Sequence, residues 1–281
     1  MKEKVCLITG ANRGIGKATA LGLALKGATV IIHCRNRQLG ENTREEIITG
    51  TGNTAIEVIV ADLASLEAVR QVAGEVTRRH TALHVLVNNA GLTKRRHTLT
   101  EDSFETTLAV NHLAPFLLTN LLLDTLKSSA PARIVNVASM VHRWGKINFD
   151  DLMGQRNYSM DRAYNQSKLA NILFTYELAR RLQGSGVTVN CLEPGMVVSD
   201  FGREYTGFKG LMTNKLWRPF MHSPEKGADT VIYLASSPEV EGVTGKYFTK
   251  RRVVRSSRAS NDAILASRLW EVSEGLTRLA S

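Results

Sequence analysis

Cysteine is scarce in this sequence, with three in 281 residues: Cys6, Cys34 and Cys191. Their spacing offers no CxxC pair and no metal-ligand pattern, so neither a disulfide framework nor a metal site is expected. Scattered thiols of this kind fit an intracellular protein that uses them as small core residues. Long apolar runs are also missing. The longest, from His112 to Leu126, is interrupted by Pro115, Asn120 and Asp124. It falls short of the roughly 18 residues that a membrane span needs. No signal-peptide pattern stands before the first strand, so a cytoplasmic location is expected. No Pro-, Gly- or Ser-rich linker, internal repeat or low-complexity tract divides the chain, which predicts one domain over residues 1–281.

Acidic residues are outnumbered, 26 against 36 basic, for a net charge of +10. An excess of that size is compatible with an anionic ligand, a membrane surface or nucleic acid. It gathers in Lys94-Arg95-Arg96-His97 and in the stretch from Lys250 to Arg258. No nucleic-acid recognition motif accompanies either cluster, which argues against nucleic acid. A solvated face is the bland reading of both. Weak peripheral contact with anionic lipid is the sharper one.

What is present is a regular alternation of short apolar runs and helical patterns. Val5–Thr9 reads as a buried strand ending in Gly10, and a helix begins at Gly14 and stops before Gly27. Strands are predicted at 28–33, 55–60, 84–87, 133–138, 187–192 and 246–248. Helices are predicted at 39–49, 66–79, 102–127, 161–183, 224–234 and 263–279. Pro115 is expected to bend the fourth of these seven helices. The alternation implies right-handed crossovers. The predicted fold is therefore a single-domain α/β Rossmann fold. Its doubly wound parallel sheet has about seven strands, with helices on both faces.

Thr9-Gly-Ala-Asn-Arg-Gly-Ile-Gly16 joins the first strand to the first helix. Gly10 allows a tight turn, Gly14 and Gly16 permit close backbone approach, and the helix start offers free N–H groups to a pyrophosphate. A plain glycine turn is the alternative, but the strand-to-helix context is the one that dinucleotide binding requires. In NAD-binding chains a carboxylate about 20 residues on holds the ribose hydroxyls. Here the second strand ends in His33-Cys34-Arg35-Asn36, with no carboxylate. Arg35 there, and Arg13 in the loop, suit a 2′-phosphate, which predicts NADP(H). The alternative leaves both arginines in water.

Tyr164-Asn-Gln-Ser-Lys168 places a phenol and an ammonium at i and i+4 on one helix face. A nearby ammonium favours the phenolate and brings the tyrosine towards acid–base work at neutral pH. Ser139 follows the fifth strand and Asn88-Asn89-Ala90-Gly91 the fourth, both at the strand ends where ligands gather in parallel sheets. Asn111 lies in the long helix that follows. These pieces resemble the short-chain dehydrogenase/reductase family over residues 4 to 250. They are TGANRGIG, Asp62 in ADLAS, NNAG at 88–91, Asn111, Ser139, YNQSK at 164–168 and Pro194-Gly195.

The resemblance implies that Tyr164 is the general acid/base and that Lys168 lowers its pKa and binds the nicotinamide ribose. It implies that Ser139 holds the substrate oxygen and that Asn111 maintains a proton relay through water. Cofactor contacts are implied for Gly10, Asn12, Arg13, Gly14, Ile15 and Gly16 in the loop, for Arg35, Asp62 and Leu63 at the next two strand ends, and for Asn89, Ala90 and Gly91. Tyr164 and Lys168 join them, and Pro194, Gly195, Val197 and Ser199 would flank the nicotinamide. Ser199 stands where relatives often carry threonine. Residues 1–100 would form the cofactor half, 101–250 the catalytic and substrate half, and 251–281 a helical extension. The long helices imply, by resemblance, a homodimer or homotetramer.

Within the family, His33-Cys-Arg-Asn36, Val110-Asn-His-Leu113, Ser129–Val137, Ser167–Asn171, Ala179–Gly184 and Leu269–Ser273 resemble the retinol dehydrogenase-like branch. That branch implies NADP(H) and a small lipophilic carbonyl or alcohol substrate. Its membrane-bound members carry an apolar N-terminal anchor that this sequence lacks. Residues 140–162 and 196–222 are expected to shape the substrate pocket. The second holds Phe201, Tyr205, Phe208, Leu211, Met212, Leu216, Trp217, Phe220 and Met221, which suit either an apolar lid or an extra packed helix pair. Arg203, Lys209, Lys215 and Arg218 among them leave an acidic substrate group open. Trp144 fits a pocket wall or an anchor, and His112 and His142 read as neighbours of the site. The last helix, with Trp270, is expected to cover a core edge or to meet a partner or a membrane. A non-catalytic nucleotide sensor is the rival reading, and the presence of both Tyr164 and Lys168 speaks against it.

Overall fold

The computed structural model describes residues 1–197 and 221–279. The expectations for Ser199 and for the apolar and basic residues of 201–220 lie outside the described residues. Seven parallel strands and one antiparallel strand form a single sheet in the order β3-β2-β1-β4-β5-β6-β7-β8. They are β1 Val5–Thr9, β2 Thr29–Cys34, β3 Ile56–Val60, β4 Val85–Asn88, β5 Ala132–Val137, β6 Val187–Leu192, β7 Tyr247–Thr249 and β8 Arg252–Val253. The order reverses between β1 and β4, where an open α/β sheet forms its ligand crevice.

The strands are buried on both faces, which is why they read as continuous apolar runs. In β1, Cys6 and Ile8 point to one side and pack with α1 (Gly14–Ala24) and α7 (Pro224–Ser236). Leu7 points to the other and joins the core under α3 (Leu66–Arg79), α4 (Ala114–Leu121) and α6 (Met160–Arg181). Helix α2 (Arg37–Thr51) starts at Asn36, whose side chain accepts the Leu39 N–H at 3.0 Å, and ends on Gly52 in the left-handed conformation.

One sequence expectation needs correction. The predicted helix over 102–127 is broken: a single turn at Thr106–Leu108, a π-helical segment at Ala109–Leu113, then α4 and α5 (Leu123–Ser128). The interruption lies at the π segment just before Pro115. The proline sits in the first turn of α4, where a missing N–H is tolerated. Among the described residues the sheet has the seven expected parallel strands and an eighth, antiparallel one. The eighth follows β7 through a two-residue hairpin at Lys250-Arg251, both with positive φ. Such turns are normally signalled by Asn-Gly or Asp-Gly, and here no such signal exists.

The last helix, α8 (Ala263–Thr277), lies over α6 and α4. Ala266 and Leu269 pack on Leu169, Ala170 and Leu173, and Trp270 stacks among Phe116 and Phe174. The last helix thus packs on part of the two long helices that the resemblance offered for self-association. Among the described residues, no helix is long and apolar enough to cross a membrane.

Candidate active site

The glycine loop is shaped by contacts that only glycine permits. Gly10 and Gly14 have φ of +63° and +53°, a region that costs other residues strain. A Cβ on Gly16 would stand 2.4 Å from the Gly10 carbonyl oxygen and 2.6 Å from Asn89 Nδ2, so the loop closes only without it. A Cβ on Gly14 would meet open space, so the outer side of the loop is free to receive a ligand. Beneath, Asn89 Nδ2 donates to the carbonyls of Thr9 at 2.8 Å and Gly10 at 3.2 Å. Thr9 Oγ1 accepts the N–H groups of Asn89 and Ala90, each at 3.0 Å. Asn89 thus supports the loop from below, and Thr9 is a loop-holding residue that sequence reasoning missed.

His33 was missed as well. Its Nδ1 accepts the Gly10 N–H at 3.4 Å and its Nε2 donates to the Ala61 carbonyl at 3.2 Å. Burial pushes its pKa down to about 4, which keeps the ring neutral and able to accept at one nitrogen while donating at the other. Just outside it, Arg35 and Asp62 stand 3.8 Å apart, both exposed. Asp62 also accepts the Ala64 N–H at 3.0 Å, which turns the chain after β3 above buried Leu63. Arg13 is exposed at the start of α1. The Asn12 carbonyl accepts the Thr43 hydroxyl at 3.2 Å. The residues present therefore fit a nicotinamide dinucleotide: an open glycine cradle, a helix start, and two exposed guanidinium-bearing residues, one at the start of α1 and one just past β2.

Around Lys168, three elements converge. Lys168 on α6 is buried, and its Nζ donates to the Val137 carbonyl at 3.0 Å, two residues before Ser139. Its Nζ lies 5.6 Å from the centre of the half-buried Tyr164 ring. Burial alone pushes the lysine pKa down to about 8. Asn111, in the π segment, donates from Nδ2 to the Leu92 carbonyl at 2.9 Å and to Ser167 Oγ at 3.0 Å, and accepts the Leu92 N–H at 2.8 Å. Ser167 in turn donates to the Tyr164 carbonyl at 2.8 Å. Asn111 so ties the NNAG loop to the Tyr164 turn, and Ser167 is the link that the sequence did not reveal. Pro115 has no N–H to offer the Asn111 carbonyl four residues before it. Gly91 fits between them: a Cβ there would lie 3.3 Å from Asn111 Oδ1 and 3.6 Å from Lys168 Nζ.

Ser139 opens a 3-10 turn, Met140–Trp144, in extended conformation, and its Oγ accepts the Val141 N–H at 3.4 Å. Beyond β6, Gly195 has φ +79°, and the Met196 carbonyl accepts the His222 N–H at 2.7 Å. Val197 pairs with His222, and it packs with Ile15 over Gly227, where a Cβ would stand 2.6 Å from Val197. The residues after Pro194 are thereby held against the glycine-loop helix. Met140, Trp144 and Met196 expose apolar surface on the loops after β5 and β6. Asn88 is buried below, donating to Asn136 Oδ1 at 2.8 Å and to Thr119 Oγ1 at 3.0 Å, so its work is to join β4 to β5.

Comparison with known proteins gives consistent findings. A family model described as short chain dehydrogenase matches residues 4–208. Retinol dehydrogenase 14 from Homo sapiens is 45% identical over 297 residues, covering 99% of this chain and 88% of that protein. A crystal structure of an uncharacterized protein from Mycobacterium paratuberculosis superposes with a TM-score of 0.81 at 35% identity, over 99% of this chain and 94% of the other. The RhlG/NADP active-site complex of Pseudomonas aeruginosa superposes with a TM-score of 0.72 at 27% identity, over 88% and 94%.

Proposed function

The chain belongs to the short chain dehydrogenase family, within its retinol dehydrogenase-like branch, and on that premise we propose that this oxidoreductase uses NADP(H) to interconvert a small hydrophobic carbonyl and its alcohol. The observation that carries the reading is the convergence of Tyr164, Lys168, Ser139 and Asn111 at one end of the sheet, beside an open glycine cradle. A nicotinamide dinucleotide, held by its pyrophosphate over that cradle, would supply or accept the hydride.

The chain's own residues do the rest. Tyr164 donates its phenolic proton to the substrate oxygen on reduction and takes it back on oxidation. Lys168, buried with one N–H spent on Val137, keeps two donors for the nicotinamide ribose and the phenol. Its positive charge beside the ring favours the phenolate. Ser139 donates to the same substrate oxygen and orients it. A water held at Asn111 would return the proton from solvent through Lys168. Arg13 and Arg35 would clasp a 2′-phosphate, with Asp62 facing the adenine.

Met140, Trp144 and Met196 support a hydrophobic substrate, as does the name of the human relative. The test follows absorbance of the reduced nicotinamide over a panel of hydrophobic aldehydes and ketones. Turnover is expected with NADPH, and Tyr164→Phe is expected to lower it at least about 100-fold. Equal or better turnover with NADH would overturn the arginine argument.

A further inference from the structure

His142 lies three residues beyond Ser139, fully buried, and the chemistry proposed above leaves it without a task. Both ring nitrogens are engaged. Nδ1 donates to the Ser139 carbonyl at 2.7 Å, and Nε2 accepts the backbone N–H of Ser257 at 3.1 Å. The backbone N–H of His142 reaches that same carbonyl at 3.2 Å. The Ser139 carbonyl is thus gripped twice, which fixes the peptide after Ser139 and with it the direction of the serine side chain.

Ser257 belongs to the basic stretch that begins at Lys250. This stretch is fastened independently to the same region. Arg143 donates to the Arg255 carbonyl at 2.8 Å, Ser256 Oγ and the Tyr176 hydroxyl are 2.8 Å apart, and Ser260 Oγ donates to Ser256 Oγ at 2.8 Å. The His142 ring also stands edge-on to Tyr247, centres 5.0 Å apart. The Tyr247 hydroxyl donates to Glu193 at 2.8 Å, the residue before Pro194. One side chain therefore joins the loops that follow β5 and β8, and through Tyr247 on β7 it is linked to the loop after β6.

We propose that His142 is a positioning residue that aims Ser139 at the substrate oxygen, with the segment 254–258 as its anchor. The role demands a donor and an acceptor on one rigid ring, which only a neutral imidazole provides. Burial pushes the His142 pKa down and so preserves that form. The basic stretch acquires a function by the same argument: it holds the catalytic turn through its backbone, while its charges face solvent.

The proposal rests on the assignment of Ser139, so the test carries Ser139→Ala beside His142→Phe and His142→Asn, all in the full chain. Phenylalanine keeps the ring on Tyr247 and loses both polar bonds. Asparagine loses the ring and restores an N–H towards the Ser139 carbonyl. His142→Phe is expected to lower kcat by about 10-fold or more, leaving the NADPH Kd unchanged. His142→Asn is expected to recover most of that loss. Amide exchange in a peptide covering 254–260 is expected to quicken in His142→Phe. A residue that merely fills space gives the opposite order, with Phe near wild type and Asn worse, and that result overturns the proposal. Unchanged exchange at both 139–145 and 254–260 in His142→Phe overturns it whether or not turnover is measured. If Ser139→Ala itself keeps full turnover, the reading of the site fails first. If Ser139→Ala is inactive and His142→Phe is not, only the positioning role fails.

Discussion

Lys168 is a charge placed where charge is expensive. It is 4% exposed, and its single described hydrogen bond goes to a backbone carbonyl. Its pKa falls from 10.5 to about 8 because burial penalises the ammonium. Between those two values the unfolded chain keeps a proton that the folded chain has shed, so stability rises with pH across that window. At pH 7 the folded chain therefore bears the full penalty, on the order of 3 kcal/mol. Lys168→Met is expected to be more stable than the parent at pH 7 in urea denaturation. That advantage should shrink as pH approaches 10, while turnover falls at least about 100-fold. A variant that is less stable at pH 7 would show that the ammonium is better compensated than its contacts suggest.

The element on which the proposed chemistry leans most is the π segment Ala109–Leu113. A π turn inside a helix misaligns the i→i−4 ladder and is frequent at functional sites. Here it brings Asn111 under the Tyr164 turn and His112 against α8, with His112 Nε2 2.9 Å from Ser273 Oγ. Pro115 prevents the ladder from closing on Asn111 again. Pro115→Ala supplies the missing N–H and is expected to change stability by no more than about 1 kcal/mol. Turnover should fall about 10-fold or more as the Asn111 carbonyl is drawn into the helix. Turnover unchanged in single-turnover assays would mean that this carbonyl plays no part in moving the proton. The hairpin at Lys250-Arg251 is a second strained element. Arg251 offsets it by donating to Asp229 Oδ2 at 2.7 Å and by lying over the Tyr233 ring. Strain here turns the chain back so that 254–258 can reach His142.

Across the whole molecule, the last helix ties α3, α4 and α6 together. Arg70 on α3 donates to the Thr277 and Arg278 carbonyls at 2.8 and 3.1 Å, and Trp270 fills the space between Phe116 and Phe174 under the Arg181 guanidinium. Trp270→Ala removes the aromatic that joins α4, α6 and α8. A loss of about 3–5 kcal/mol is expected in denaturant unfolding. A loss below about 1 kcal/mol would mean that α8 is only laid against the core.

The amino-acid sequence alone determined the alternation of strands and helices, the glycine cradle and the Tyr164–Lys168 spacing. Each of these is local: a period, a backbone freedom, or an i,i+4 geometry is written in neighbouring residues. The place of Arg35, just past the end of β2, was legible for the same reason. What only the tertiary structure decided are the links between residues far apart in the chain. Asn111 meets Ser167, His33 meets Gly10, and His142 meets Ser257 across 115 positions. A buried histidine leaves the same trace in a sequence whether it packs, donates or accepts. Its partner is chosen by the crossover connections of the sheet, which bring the loops after β5, β6 and β8 to one place. The hairpin and the π turn were hidden likewise, because tertiary contacts stabilise backbone conformations that the local residues do not favour by themselves.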